Sequence, residues 1–241
     1  MLPRSRPARH WIVGDVHGCA DSLQRLLQLL PADDRVVLCG DVINRGPQIQ
    51  RAMELAWGLV RSGRAVWLQG NHEAELVADL EREDGSGLNR LAGCDTYRQL
   101  GAPLCRLWRR RLAALPQVLQ GRSWLATHAG FDPHSWQADL QVRHRFWDAY
   151  DGRYGQVVVG HTPGKHLRHY RQGAIVLVDT GACYGGRLSA YCPETGQVVQ
   201  VSGQGPRQLP QLPPALPPTM RDQLAALQRQ PPVAQLQPIL G

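Results

Sequence analysis

The stretch Gly40-Asp-Val-Ile-Asn-Arg-Gly-Pro47 decides how the rest of the chain is read. It follows the apolar run Arg35-Val-Val-Leu-Cys39, which predicts a short buried strand. Asp41 then stands at a strand end, where a carboxylate can hold a metal. Arg45 brings a guanidinium suited to the oxygens of a phosphate. Gly46-Pro47 turns the chain into a helix, with Pro47 expected near its first position. Taken alone, an acid at a strand end is more often a turn or cap residue, so the reading depends on whether the pattern recurs.

It does recur, in five more places. His10-Trp-Ile-Val13 predicts a first strand and runs into Gly14-Asp-Val-His-Gly18. Asp15 and His17 lie two apart and so point to one side of extended backbone. A carboxylate with an imidazole suits Mn, Fe, Zn or Ni. Ala65–Gln69 predicts a strand that delivers Gly70-Asn-His-Glu73, where Asn71 can ligate a hard cation and His72 can give a proton. Ser123–Thr127 ends in His128, Gln156–Gly160 in His161, and Ala174–Val178 in Asp179. Helices are expected between them, over Asp21–Leu30 and Pro47–Ser62, the second closed by Gly63. Residues 74–115 read as wholly helical, in three pieces over 74–83, 88–100 and 103–115 separated by Gly85-Ser-Gly87 and the turn before Pro103. They form an inserted cap expected to carry the least chemistry. Residues 133–150 are expected to be irregular or helical, and Arg187–Tyr191 with Gln197–Ser202 a closing antiparallel pair.

Alternating strands and helices make this an α/β chain, and open α/β sheets place their sites beyond the carboxyl ends of the strands. Asp15, His17, Asp41, Asn71, His128 and His161 fall there together. Six oxygen or nitrogen ligands with a shared carboxylate suit two divalent ions rather than one.

Composition bounds the rest. The 241 residues are 43% hydrophobic and 20% charged, enough for one domain with a sizeable core. The net charge of +7 favours anionic substrates. The basic residues are nearly all Arg and form no basic–aromatic stripe. Base composition therefore explains them better than nucleic-acid binding. None of the six cysteines makes a C-x-x-C pair, which argues against zinc-ribbon and thioredoxin chemistry and for reduced thiols. The apolar run before Gly14 is too short for a signal peptide or a membrane span, so a cytoplasmic protein is expected. Residues 1–9 are expected to fray, and 203–241 form a Pro/Gln-rich tail, a linker or appendage whose partner does not follow from its composition. The expected division is thus 1–202 and 203–241.

In their order, GDVHG (14–18), GDVINRG (40–46), GNHE (70–73), HAG (128–130) and GHTP (160–163) resemble the phosphoprotein phosphatase family of metallophosphoesterases. DTGACYGGRL (179–188) is similar to the segment after the last metal histidine in bacterial members. The likeness covers roughly residues 10–200 and extends both to bacterial serine/threonine phosphatases and to symmetrical diadenosine tetraphosphatases. It implies a four-layer α/β/β/α sandwich of two mixed sheets. It implies a first metal on Asp15, His17 and Asp41 and a second on Asp41, Asn71, His128 and His161, manganese being the first choice. It implies direct attack on phosphorus by a metal-bridging hydroxide, with Arg45 and Asn71 binding substrate oxygens and His72 protonating the leaving group. A second phosphate arginine is expected, with Arg145 preferred to Arg143 because Arg145-Phe-Trp resembles that region in relatives.

One departure bears on the substrate. The protein phosphatases usually carry Asp where this chain has Asn44, and that acid orients the histidine and raises its pKa. Asn44 is expected to accept a hydrogen bond from the His72 ring without supplying charge. That favours a substrate with a good leaving group, a nucleotide anhydride. Glu73, His161-Thr-Pro163 and the short span from His128 to His161 look instead like the protein phosphatases, and tip the sequence reading toward phosphomonoesters, phosphoproteins included. A catalytically weak phospho-binding module and a nucleic-acid end phosphatase are the further alternatives.

Overall fold

The computed structural model describes residues 7–82 and 86–205. Among the described residues ten strands fall into two five-stranded mixed sheets. The first has the order β10-β9-β1-β2-β3, built from β1 His10–Val13, β2 Arg35–Leu38, β3 Ala65–Trp67, β9 Arg187–Cys192 and β10 Gln197–Ser202. The second has the order β4-β5-β6-β8-β7, built from β4 Val118–Gln120, β5 Trp124–Thr127, β6 Gln156–Val159, β7 Arg168–Tyr170 and β8 Ile175–Leu177. β1, β2 and β3 run parallel, as do β5, β6 and β8, and the antiparallel strands sit outside them.

Period-two alternation in the central strands explains the layering. Val36 and Leu38 pack outward against α1 Ala20–Leu29 and α2 Ile49–Arg61, while Val37 and Cys39 face the other sheet. In the second sheet Val157, Val159, Ile175 and Leu177 face α6 His144–Ala149 through Phe146 and Trp147. Val158, Val176 and Val178 join Ile12, Val37 and Leu68 between the sheets. The result is the expected four layers, helix, sheet, sheet, helix. Glu194 helps pin the two sheets together: its Oε1 accepts the Trp124 indole N–H at 3.0 Å and lies 2.8 Å from His10 Nδ1.

Several local expectations shift. α2 begins at Ile49, behind Gln48, because Gly46 and Pro47 are used in the turn around His17 and Gly18. The inserted segment is α3 Asn71–Glu81, α4 Ser86–Gly93 and α5 Asp95–Ala113, so the predicted helix over 88–100 is broken at Cys94, which is extended (φ −84°, ψ 119°). Gly101 kinks α5 at φ 74° just before Pro103. Strands β4 and β7 are short, half-buried edge pieces that carry no strong alternation, and the sequence reading misses them. Arg9, placed in the frayed start, is instead tied to the body through Asp34 and Arg35. At the other end Gln204 is buried against Asp21 and Gln48; residues 206–241 of the Pro/Gln-rich segment and the first six residues lie outside the described residues. All six cysteines are free. Among the described residues no helix is long and apolar enough to cross a membrane.

Candidate dinuclear metal centre

The carboxyl ends of the six parallel strands meet at one edge of the sandwich. The first sheet supplies Asp15 and His17 after β1, Asp41 after β2, and Asn71 and His72 after β3. The second supplies His128 after β5, His161 after β6 and Asp179 after β8. Ligand atoms of His17, Asp41 and His72, and of Asp41, His128 and His161, form two triplets each within 4.8 Å, sharing Asp41. Asp15 joins the first, 3.8 Å from His17 Nε2, and Asn71 the second, its Oδ1 lying 3.0 Å from His128 Nε2 and 3.1 Å from His161 Nδ1. All six sequence-assigned ligands thus come together around a central carboxylate.

The backbone is bent to make this possible. His17, Asp41, Asn44, Arg45 and His161 all adopt positive φ, between 43° and 68°. Left-handed backbone away from glycine costs on the order of 1–3 kcal/mol per residue and concentrates at functional sites. Gly70 and Gly160 stand where a Cβ would strike the carboxylate of Asp41 and of Asp15, which is why both strands end in glycine. The buried Glu73 carboxylate holds the Asp41 turn by accepting N–H bonds from Asp41, Val42 and Gly70 at 2.8–2.9 Å. Glu73 therefore shapes the loop that presents Asp41.

The electrostatics fit cations. Burial pushes the carboxyls of Asp15, Asp41, Glu73 and Asp179 above the usual carboxylate range. Burial also lowers His17, and lowers His128 and His161 to about 4, so their rings are neutral with lone pairs available. Nδ1 of His17 and of His128 lies 2.8 Å from a backbone carbonyl, of Ile43 and of Cys39, which turns Nε2 inward. Nε2 of His161 is buried with no hydrogen-bond partner among the described residues. Four buried acids beside neutral imidazoles need the positive charge that divalent ions supply.

Around the ligands lie the groups that would meet substrate. Arg45 is exposed, its guanidinium 3.1 Å from His72 Nε2 and over the Tyr184 ring at 5.5 Å. Burial and then the Arg45 charge bring His72 down to about 4. Asn44 Nδ2 lies 2.7 Å from His72 Nδ1. The amide is oriented by the insertion: its Oδ1 accepts from Thr96 N–H at 3.0 Å, Thr96 Oγ1 at 2.6 Å and Cys94 Sγ at 3.2 Å. A backbone N–H can only donate, so the oxygen must face Thr96 and the NH2 must face the ring. This corrects two expectations. Asn44 donates to His72 rather than accepting from it, and the insertion supplies part of the site rather than merely capping it.

The arginine assignment also changes. Arg145 is not brought into the cluster: it is 68% exposed and pairs with Asp132 at 3.7 Å. Arg143 is the residue whose charge bears on His128 and His161, and its Nε lies 3.3 Å from Thr162 Oγ1, next to His161. Asp179, buried beside Asp15 and within reach of the Arg168 and Arg45 charges, was given no role from sequence although it obeys the same strand-end rule. No signal in the sequence points to Thr96.

The family model described as calcineurin-like phosphoesterase matches residues 8–191. A symmetrical bis(5'-nucleosyl)-tetraphosphatase of Ralstonia nicotianae is 33% identical over 53% of this chain and 44% of its own length. The chain thus aligns with under half the length of that relative. Serine/threonine-protein phosphatase 1 of Salmonella typhimurium is 28% identical over 75% of this chain and 90% of its own. The crystal structure of a protein named as a candidate diadenosine tetraphosphatase superposes with a TM-score of 0.61 at 25% identity, covering 84% of this chain and 96% of the other.

Proposed function

The chain belongs to the calcineurin-like phosphoesterase family, and on that premise we propose that it hydrolyses phosphoanhydrides of the dinucleoside polyphosphate type in preference to phosphoserine or phosphothreonine esters. The observation that carries the reading is the contact of Asn44 Nδ2 with His72 Nδ1 at 2.7 Å. A neutral imidazole has one acceptor nitrogen. With Nδ1 accepting from a fixed amide, Nε2 carries the proton and faces the flexible Arg45 guanidinium as a second donor. Two donors converging on one small space are what an anionic phosphoryl oxygen would bridge.

Asp15, His17 and Asp41 would hold one divalent ion and Asp41, Asn71, His128 and His161 a second; manganese is our first choice. When bound, such a pair supplies an activated water and neutralises charge on the phosphoryl oxygens. The protein's own share is orientation and electrostatics. Arg45 binds the non-bridging oxygens, with Arg143 on the His161 side. His72 donates a hydrogen bond from Nε2 but, held neutral, is a poor proton donor. Departure of a serine alkoxide needs a full proton, and general acid catalysis is worth about 10²–10⁴-fold. A nucleoside diphosphate leaves as a stable anion and loses little without it.

A second reading, protein phosphatase, is favoured by one observation: the Salmonella phosphatase aligns over 90% of its length. Turnover of diadenosine tetraphosphate and of a phosphoserine peptide, side by side with the Mn²⁺-loaded protein, separates the two. A kcat/KM for the dinucleotide at least tenfold higher is expected. Equal or faster turnover of the peptide would reverse the assignment.

A further inference from the structure

We propose that Thr96, at the start of the inserted helix α5, is a positioning residue that sets the leaving-group preference of the site by fixing which way the Asn44 amide points. The inference rests on the site being a phosphohydrolase, as argued above, and goes further in assigning substrate choice to the insertion.

Thr96 and Asn44 are locked from both sides. Thr96 is fully buried. Its Oγ1 accepts the Asn44 backbone N–H at 3.0 Å and donates to Asn44 Oδ1 at 2.6 Å, while its own N–H reaches the same oxygen at 3.0 Å. Cys94 adds a fourth bond, and the Asp95 carboxylate accepts the Arg45 backbone N–H at 3.0 Å. Three successive residues of the insertion therefore grip the two successive left-handed residues, Asn44 at φ 64° and Arg45 at φ 68°. With Oδ1 occupied by three donors, only the NH2 is left for His72. Turning the amide over would set its NH2 against the Thr96 N–H, donor against donor, in a buried place.

An acid at position 44 would behave differently. One oxygen would take the Thr96 and Cys94 bonds and the other would accept a proton-bearing Nδ1. A carboxylate is symmetric, so it has no orientation for Thr96 to choose. The effect of the Thr96 hydroxyl on leaving-group preference should therefore depend on whether residue 44 is Asn or Asp.

Aryl and alkyl phosphates of graded leaving-group basicity test this with the full-length, Mn²⁺-loaded protein, the Zn²⁺ form being used for the magnetic-resonance readout below. They keep the test independent of the physiological substrate. In the wild type the rate should fall steeply as the leaving group becomes more basic. Thr96→Val keeps the backbone N–H but removes the 2.6 Å hydroxyl donor to Oδ1 and the acceptor of the Asn44 N–H, so it should loosen the amide and flatten that slope in part, and Thr96→Ser should restore it. In the Asn44→Asp background Thr96→Val should leave the slope unchanged. A Thr96→Val variant slowed equally on every substrate in both backgrounds, with its slope unmoved, would reduce Thr96 to a packing residue and overturn the proposal. A readout without turnover stands beside it. The ring ¹⁵N signals of His72 should show an unprotonated Nδ1 in the wild type and a protonated one in Asn44→Asp; a protonated Nδ1 in the wild type would overturn the proposal even if Thr96→Val fails to fold. If all aryl phosphates go unhydrolysed while the His72 signals are as expected, the enzyme assignment fails and the Thr96–Asn44 lock stands.

Discussion

The ligand pocket and the leaving-group edge of the same site are built by different means. Each pocket ligand follows its strand by a few residues and is held by residues that follow neighbouring strands of the sandwich: Glu73 under Asp41, the Ile43 carbonyl behind His17, the Cys39 carbonyl behind His128. The edge, where Asn44, Arg45 and His72 meet, is held by the insertion instead, through Cys94, Asp95 and Thr96. The pocket is thus a property of the sandwich, whereas the edge belongs to the contact between the sandwich and its insertion. Chemistry common to the family can stay in the first while substrate choice varies in the second.

The contrast can be broken at either end. Asp41 serves both halves of the pocket, so Asp41→Asn should lower turnover at least about a thousandfold on any substrate, several kcal/mol of metal-assisted stabilisation being lost. Metal content by elemental analysis should fall with it; full activity with retained metal would remove the shared-carboxylate arrangement. Arg45→Ala, at the edge, should reduce kcat about 10²–10³-fold, as expected for removing a donor aimed at transition-state charge. Asn44→Asp should act on choice rather than on power: the ratio of phosphoserine to dinucleotide kcat/KM should rise about tenfold or more, because the new carboxylate lets His72 act as an acid.

Smaller effects sharpen the picture. Arg143→Ala should raise KM about tenfold, the worth of one charge-assisted hydrogen bond, and Arg145→Ala should change it less than about twofold. The reverse pattern would restore Arg145 to the site. Far from it, Glu194→Gln should cost about 1 kcal/mol in urea unfolding through weakened bonds to His10 and Trp124. Burial pushes Glu194 up, but hydrogen bonds from His10 outweigh it and hold the carboxyl at about 2, below its ordinary 4.5. The unfolded chain therefore takes up the proton first on acidification. Glu194 stabilises the fold above about pH 4.5 and loses that contribution as the pH falls toward 2. The Gln variant should show a shallower acid limb across that window.

The convergence of the candidate ligands is legible because period-two strands end where their side chains must meet. Asp15, Asp41, Asn71, His128 and His161 could each be placed from the apolar run before them. Asp179 follows the same rule at the end of β8 and lies buried beside Asp15. Arg145 was preferred on local likeness, and the structure turns it to Asp132 while Arg143, two residues earlier, faces Thr162. Strands β4 and β7 were illegible because edge pieces of three residues pair on one side and carry little alternation.

What the sequence by itself determined is the α/β order of strands and helices and the six candidate ligand residues at the strand ends, since burial periodicity and ligand chemistry are local properties. Only the tertiary structure decided that the Asn44 amide donates to His72. That choice rests on which atoms of Thr96 and Cys94 press against its oxygen, and a contact between residues some 50 positions apart leaves no periodic trace around either.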